Sequence, residues 1–261
     1  MMPIKPRVYL FSEEGLACLN AFVDSSTLFA FDLDGTLAPI ADDPENIEVS
    51  AAVKGELACL KDAAAVAIIT GRSRSNAQKH LGIVPDYLIG NHGAEGLPGW
   101  EDRLENFRLL VGKWDEQLRS MLPDSISPGI LIENKGLTLS VHYRMAPNRK
   151  TAHAHVLRAI YCLEPKPRRV TGKYVENLLP VASPDKGTAL LDLMQRDGCQ
   201  KGFFAGDDIT DEDVFRLNRD NLFTVRIGNR LESRARYFLE DQKEVISLLR
   251  QINTRLRQMK T

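Results

Sequence analysis

Four short stretches of this chain hold residue types able to move a phosphoryl group. Phe29-Ala30-Phe31-Asp32-Leu33-Asp34-Gly35-Thr36 runs an apolar segment straight into two carboxylates. On a strand, that two-residue spacing puts both on one side. Ile69-Thr70-Gly71-Arg72 ends a second apolar segment with a hydroxyl and a glycine. Ser183-Pro184-Asp185-Lys186-Gly187 reads as a helix start, with Ser183 as cap, Pro184 in the first turn and Lys186 just inside it. A cation there opposes the helix dipole by about 0.3–1 kcal/mol, so Lys186 needs a solvated exit or an anion to bind. Gly206-Asp207-Asp208-Ile209-Thr210-Asp211-Glu212-Asp213 crowds acids behind a fourth apolar segment.

Taken singly, each stretch has a plainer reading. Asp32 and Asp34 can simply begin a polar loop, and Thr70-Gly71-Arg72 can be a strand-to-helix turn with Gly71 for backbone freedom and Ser73 or Ser75 as cap. A calcium loop over 207–213 is excluded because Ile209 stands where an oxygen ligand is needed. A capping box of Thr210 and Asp213 explains those two residues but not Asp207 or Asp208, which precede it. Together the four stretches suit phosphoryl transfer through magnesium. A phosphate dianion repels a carboxylate nucleophile, each pair of unit charges costing roughly 4 kcal/mol at about 4 Å and an effective dielectric near 20. Magnesium, held by one or two carboxylates plus phosphate and water, removes that barrier. Lys186 and the Thr70 hydroxyl can hold the remaining phosphoryl oxygens.

The elements that must position these residues follow from rhythm. Strands over 28–31, 64–69 and 87–89 alternate with helices over 49–61 and 73–81, the signature of a parallel sheet covered by helices. The rhythm returns with a helix over 186–196 closed by Gly198, a strand over 202–205, a helix over 211–217 and a strand over 222–227. A terminal helix capped by Asp241, with Glu244 three residues on, carries the stripe Val245, Leu248, Leu249, Ile252, Leu256 and Met259. Open α/β sheets bind ligands at the carboxyl ends of their strands, where all four stretches fall.

Between the two halves the pattern changes. A helix through Leu104, Phe107, Leu110, Val111, Trp114 and Leu118 precedes strands over 130–133 and 137–143, joined by a turn at Asn134-Lys135-Gly136. A helix over 149–163 leads to strands over 168–171 and 174–178. The fold class is therefore α/β: a core formed by 1–98 and 181–261, with an inserted α+β domain over 99–180. On the inserted domain, His142 and Arg144 alternate with Ser140 and can be an exposed strand face. His153 and His155 read as surface residues, and 166–169 as a solvated turn.

Composition narrows the classes. The 261 residues are 43% hydrophobic and 26% charged, which excludes a disordered chain. With 34 Lys and Arg against 35 Asp and Glu, no global positive field favours nucleic acid or acidic lipid. The longest apolar run, 63–69, is far short of the roughly 20 residues that cross a bilayer. The first fifteen residues carry Lys5 and Arg7 but no apolar stretch able to act as a signal peptide. Cys18, Cys59, Cys162 and Cys199 have no metal spacing and read as buried reduced thiols, which places the chain in the cytoplasm with no obligate protein partner evident.

With Asp-Leu-Asp-Gly-Thr at 32–36, the threonine of Ile69-Thr70-Gly71-Arg72, the lysine of Asp185-Lys186-Gly187 and Gly206-Asp207-Asp208 in that order, the chain resembles the haloacid dehalogenase superfamily of phosphohydrolases. The resemblance implies a Rossmann-like parallel-sheet core and identifies the insertion as a cap of the C2B type. Gly90-Asn91-His92-Gly93-Ala94-Glu95, Glu133-Asn134-Lys135-Gly136, Leu139-Ser140-Val141-His142-Tyr143-Arg144 and the stretch 206–212 are closest to the trehalose-6-phosphate phosphatase family. That resemblance implies magnesium-dependent release of phosphate from a small sugar phosphate, trehalose 6-phosphate, with Glu133 and Lys135 on the sugar. The family tends to have G-K-x-V-x-E-I-R-P in the last cap strand. Here Asn177 takes the glutamate position and Leu179 the basic one, and Glu176, facing the other way, cannot substitute without a bulge. Sucrose phosphate and a glycosylglycerate phosphate remain alternative substrates.

On this reading Asp32 attacks phosphorus to form an aspartyl-phosphate, and Asp34 protonates the leaving sugar oxygen and later deprotonates water. Thr70 and Lys186 hold phosphoryl oxygens, and Asp211 orients Lys186. The metal set is Asp32, the Asp34 carbonyl and Asp207, with Asp208 acting through water. Asn91, His92, Glu133, Lys135, His142, Arg144 and Asn177 are the expected sugar-binding residues, the cap closing over the sugar to exclude water. A phosphomutase, or a signalling module phosphorylated on aspartate, would share part of this apparatus.

Overall fold

The computed structural model describes residues 7–41, 46–123, 128–230 and 232–259; Lys5 lies outside them. β1 (Val8–Tyr9) and α1 (Glu13–Phe22) open the chain, Ser12 capping the helix by accepting from the Gly15 amide at 3.1 Å. β2 (Thr27–Phe31), α2 (Ala51–Lys61), β3 (Val66–Ile69), α3 (Arg74–Leu81) and β4 (Tyr87–Ile89) follow. Ser50 and Ser73 cap α2 and α3 by accepting from the Val53 and Asn76 amides. Next come α4 (Glu101–Met121), β5 (Leu131–Asn134), β6 (Leu139–His142), α5 (Arg149–Cys162), β7 (Arg168–Gly172) and β8 (Val175–Leu179). The chain closes with α6 (Lys186–Arg196), β9 (Lys201–Gly206), α7 (Glu212–Phe215), β10 (Leu222–Ile227), β11 (Tyr237–Leu239) and α8 (Val245–Gln258).

These elements form two compact units, Met1–Gly96 with Pro184–Thr261, and Leu97–Ser183. The first is α/β. Its sheet runs β1-β11-β10-β9-β2-β3-β4, with every neighbouring pair parallel. β2 is buried along its whole length, as a central parallel strand must be, which is why it reads as a continuous apolar run. The chain winds outward from β2 through β3 and β4 on one side and from β9 through β10 and β11 on the other. The reversal leaves a crevice at the carboxyl ends of β2 and β9. Phe203 faces one helical layer, sharing a core with Phe29, Phe31, Leu57 and Leu249, while Phe204 faces the other and meets Phe215 at 5.9 Å. Val245, Leu248, Leu249, Ile252 and Leu256 of α8 are buried, each such side chain contributing about 1.5–3 kcal/mol. Met259, past the end of the helix, is exposed instead.

The inserted unit is an antiparallel sheet of order β5-β6-β8-β7. Leu139, Val141 and Leu178 share a core with Val111, Trp114 and Leu118 of α4 and Val156 and Ile160 of α5. Strand alternation sends Glu133, Ser140, His142 and Asn177 to the opposite face, with Glu133 paired to Ser140 and Ser140 to Asn177.

Several expectations change. β1, α1 and β11 were not anticipated: two strands of two and three residues are too short to show alternation. The acidic stretch forms a 3-10 turn (Ile209–Asp211) before the short α7, with Asp211 turned back onto the Asp208 amide at 2.8 Å, so Thr210 and Asp213 are not its capping box. α6 is capped by Asp185, whose Oδ1 accepts from the Thr188 amide at 2.7 Å, and the Ser183 hydroxyl donates to the Pro180 carbonyl. The cysteines are free thiols but not buried: Cys59 and Cys162 are exposed and Cys18 and Cys199 half-buried, because the first two fall on outer faces or ends of helices. His153 is no free surface residue; its ring stacks on Tyr143 at 4.7 Å and its Nε2 meets Glu176 at 2.8 Å. Among the described residues, no helix is long and apolar enough to cross a membrane.

Candidate active site

The site assembles at the carboxyl ends of β2, β3 and β9. Asp32 directly follows β2, its amide bonded to the Ala205 carbonyl of β9 at 2.9 Å. Lys186, the first residue of α6, is only 1% exposed, and its Nζ donates to Asp32 Oδ1 at 2.8 Å and to Asp211 Oδ1 at 2.7 Å. Two carboxylates thus offset the unfavourable placement of a cation at a helix N-terminus. Burial alone would lower the ammonium's pKa, but Asp211 and Asp32 outweigh it and hold Lys186 above the ordinary lysine range.

Asp207 follows β9 and packs against Gly35. A side chain at Gly35 would place its Cβ 2.2 Å from Asp207 Oδ2, and Gly35 has φ +77°, so both space and backbone demand glycine. Burial raises the Asp32 carboxyl well above the usual range against the pull of Lys186, with Asp211 and Asp207 adding to the rise. Burial, then Asp211 and Asp208, push Asp207 up to about 7.

That crowding tests whether a cation fits. Carboxylate oxygens of Asp32, Asp207 and Asp211 lie within 4.8 Å of one another. Asp211 has both oxygens engaged, Oδ1 by Lys186 and Oδ2 by the Asp208 amide. Asp207 Oδ1 is buried without a hydrogen-bond partner. A hard cation bound by Asp32 and Asp207 would satisfy that oxygen and relieve the repulsion, so the donor set fits a metal of the magnesium type. The side chains of Asp34 and Asp208 are not in this cluster.

Asp34 is placed otherwise than strand alternation suggests. β2 ends at Phe31, and Asp34 sits in a turn closed by the Gly35 amide on the Ala38 carbonyl at 2.8 Å. Both its oxygens are held by Arg72, Nε to Oδ2 at 2.7 Å and Nη2 to Oδ1 at 2.6 Å, and Arg72 Nη1 donates to Asn76 Oδ1 at 2.6 Å. Thr70 is fully buried; its Oγ1 accepts from the Arg72 amide at 3.2 Å, which leaves the hydroxyl proton to donate elsewhere. An added Cβ at Gly71 would lie 2.4 Å from the His92 ring, which would have to move to admit it.

Asn91 and His92 follow β4 in left-handed conformations, φ 50° and 59°. Asn91 is buried and donates to Glu95 Oε2 at 2.9 Å, and the His92 amide bonds the Thr70 carbonyl at 2.9 Å, tying this loop to the Thr70 loop. In the inserted unit, Glu133 Oε2 lies 2.9 Å from His142 Nε2 and 3.8 Å from Lys135 Nζ. The hydrogen bond from His142 holds Glu133 below the ordinary glutamate range; burial opposes this and Lys135 assists. Arg144 is half-buried and its carbonyl accepts from Arg149 Nε. Asn177 is used between strands, accepting from Ser140 Oγ at 2.6 Å and donating to the Val170 carbonyl at 3.3 Å. Glu176 faces the helices, buried against His153, Thr171 and Arg169.

Residue reasoning gave no role to the side chain of Arg72, nor to Arg226, whose guanidinium donates to the Asp208 carbonyl at 3.0 Å. The signal for Arg226 was available: it is the one charge in the apolar strand Leu-Phe-Thr-Val-Arg-Ile.

Compared with known proteins, residues 30–243 match the trehalose-phosphatase family. A probable trehalose-phosphate phosphatase E of Arabidopsis thaliana is 31% identical over 242 residues, covering 85% of this chain and 68% of the relative. A probable trehalose-phosphate phosphatase of Sinorhizobium fredii is 31% identical over 224 residues, covering 83% of each. A crystal structure of a trehalose-6-phosphate phosphatase related protein superposes with a TM-score of 0.69 at 27% identity, covering 90% of this chain and all of that one. With the family's match spanning the loops that carry Asp32, Thr70, Lys186 and Asp207, the chain belongs to the trehalose-phosphatase family.

Proposed function

We propose that this chain hydrolyses trehalose 6-phosphate to trehalose and phosphate through an aspartyl-phosphate, with magnesium as cofactor. The observation that carries this reading is the buried Lys186 ammonium bridging Asp32 and Asp211 beside the unpartnered Asp207 oxygen. Asp32, Asp207 and the Asp34 carbonyl would hold magnesium, with Asp208 acting through water, and the ion would supply the positive charge that lets a phosphate dianion approach a carboxylate.

Asp32 attacks phosphorus as the bond to the sugar oxygen breaks, and that oxygen takes a proton from Asp34. Water then attacks the aspartyl-phosphate, giving its proton to Asp34 and regenerating Asp32. Lys186 has a third N–H beyond the two it directs at Asp32 and Asp211, and with the Thr70 hydroxyl it offers donors to the phosphoryl oxygens. Asp211 fixes the ammonium. Glu133, Lys135, His142 and Arg144 contribute to sugar recognition; Asn91 and His92 shape the loop beside Thr70. Asn177, engaged by Ser140 and Val170, favours a second reading in which another disaccharide phosphate is the better substrate. The free thiols support a reducing cytoplasm.

Phosphate release with magnesium, with and without chelator, across trehalose 6-phosphate, sucrose 6-phosphate, glucose 6-phosphate and an aryl phosphate tests the reading. Preference for trehalose 6-phosphate, abolished by chelator, is expected. Isomerised sugar phosphate without free phosphate would replace hydrolysis by a mutase reaction.

A further inference from the structure

Arg226 stands on β10 in register with Gly206 of β9, one residue before Asp207. It is 2% exposed, a charge buried in an otherwise apolar strand. Its guanidinium grips the acidic loop by its backbone: Nη1 donates to the Asp208 carbonyl at 3.0 Å and Nη2 to the Asp207 carbonyl. Nη1 also lies 3.3 Å from Glu212 Oε1, while Glu212 Oε2 accepts from the Arg234 amide at 2.9 Å. Glu212 therefore both neutralises Arg226 and aims it.

From this clamp we infer that Arg226 is a positioning residue that sets cation affinity at the Asp32–Asp207 site by fixing two successive peptide carbonyls of the loop that carries Asp207. The inference rests on the proposed metal set. Four observations distinguish it from a packing role. A buried side chain needed only to fill space would be better apolar, since burying an ion pair seldom adds stability over a hydrophobic replacement. The contacts are to main chain, so they fix where the loop runs and not merely that it is covered. The two carbonyls belong to adjacent residues, and a planar fork of N–H groups can serve both at once, whereas a lysine ammonium is a point donor. Finally, Asp207 Oδ1 is buried without a hydrogen-bond partner, so no bond to that oxygen fixes it and the backbone clamp sets where it stands. Groups that orient a metal ligand typically change affinity by about 10–100-fold when lost.

The test is calorimetric titration of magnesium chloride into the full chain for wild type, Arg226→Lys, Arg226→Met and Asp207→Asn, with the thermal midpoint of each metal-free protein and the substrate KM at saturating magnesium. Arg226→Lys is expected to weaken magnesium binding roughly tenfold or more while leaving substrate KM at saturating magnesium unchanged, a split that a merely structural role would not produce. Wild-type magnesium affinity in folded Arg226→Lys would overturn the inference while leaving the metal site standing. Magnesium binding by wild type that Asp207→Asn leaves intact would overturn the metal site and the inference with it. If neither variant at 226 folds, Glu212→Gln keeps the guanidinium but removes the carboxylate that aims it. Weakened magnesium binding there supports the inference, and unchanged binding overturns it.

Discussion

Arg72 grips Asp34 through both carboxylate oxygens, at 2.7 and 2.6 Å, and reaches it from the loop that follows β3. A bidentate pair of this kind fixes orientation as well as charge. Asp34 can protonate the departing sugar oxygen only with one of those oxygens released and protonated; with Arg72 still orienting it through the other, Arg72→Gln should lower turnover of trehalose 6-phosphate by about 10–100-fold, a part of what general acid catalysis supplies. An aryl phosphate, whose leaving group departs without a proton, should lose much less. Equal losses on both substrates would remove Arg72 from any role through Asp34.

Lys186 offers a second test because it neutralises two buried carboxylates at once. Lys186→Met leaves Asp32 and Asp211 facing one another without their cation, and breaking a buried ion pair from one side costs about 3–5 kcal/mol. Chemical denaturation should show that loss in the metal-free protein and a smaller one in millimolar magnesium, which would neutralise the same cluster. An identical loss in both conditions would mean that magnesium does not bind beside Asp32. Asp32→Asn, by contrast, should abolish phosphate release while the protein stays folded.

The Glu133–His142 pair makes a prediction about pH. The hydrogen bond from His142 lowers the Glu133 pKa in the folded state, so the folded protein binds fewer protons there than the unfolded chain. The group's contribution to stability is present above its unfolded pKa, and it is lost as pH falls through the folded one. Glu133 is too exposed for a large effect. His142→Ala should move the Glu133 carboxyl upward in a carbon-detected NMR titration; a carboxyl that does not move would show that the pair does not form in solution.

The rim of the candidate site was largely legible because its residues lie at the ends of apolar runs in a parallel sheet, and the chain order of strands fixes which ends meet. Asp32, Thr70, Lys186 and Asp211 could be placed that way. What was not legible depends on direction at single-residue resolution. Ser183 and Asp185 are both good caps, and only the extended backbone at Asp185 decides between them. Asp211 is expected on Lys186, and it does accept from Nζ, but its second bond, back to the Asp208 amide, has no local signal. Arg72 reaches Asp34 across 38 residues and Arg226 reaches the Asp208 carbonyl across 18, distances that no local pattern encodes. His153 and Glu176, 23 residues apart, meet because one lies on α5 and the other on the strand face that α5 covers.

Asn177 turns that lesson into a last prediction. Its side chain accepts from Ser140 and donates to the Val170 carbonyl, which ties three strands together on the face of the inserted sheet away from α4 and α5, in the same row as Glu133. Glu133, at the edge of that row, is 47% exposed, and its contacts with His142 Nε2 at 2.9 Å and Lys135 Nζ at 3.8 Å are screened by solvent. Truncating Glu133 or Lys135 should therefore cost little stability and much discrimination. Glu133→Ala and Lys135→Ala are expected to raise KM or lower kcat on trehalose 6-phosphate by about tenfold, the scale of one hydrogen bond to a charged group, while sparing a small aryl phosphate. Asn177→Ala should show the opposite balance: a lower melting temperature from two lost inter-strand bonds, with the ratio of the two activities held. If Asn177→Ala shifts that ratio as far as Glu133→Ala does, Asn177 reaches the sugar after all, and its bonds to Ser140 and Val170 must break when substrate binds.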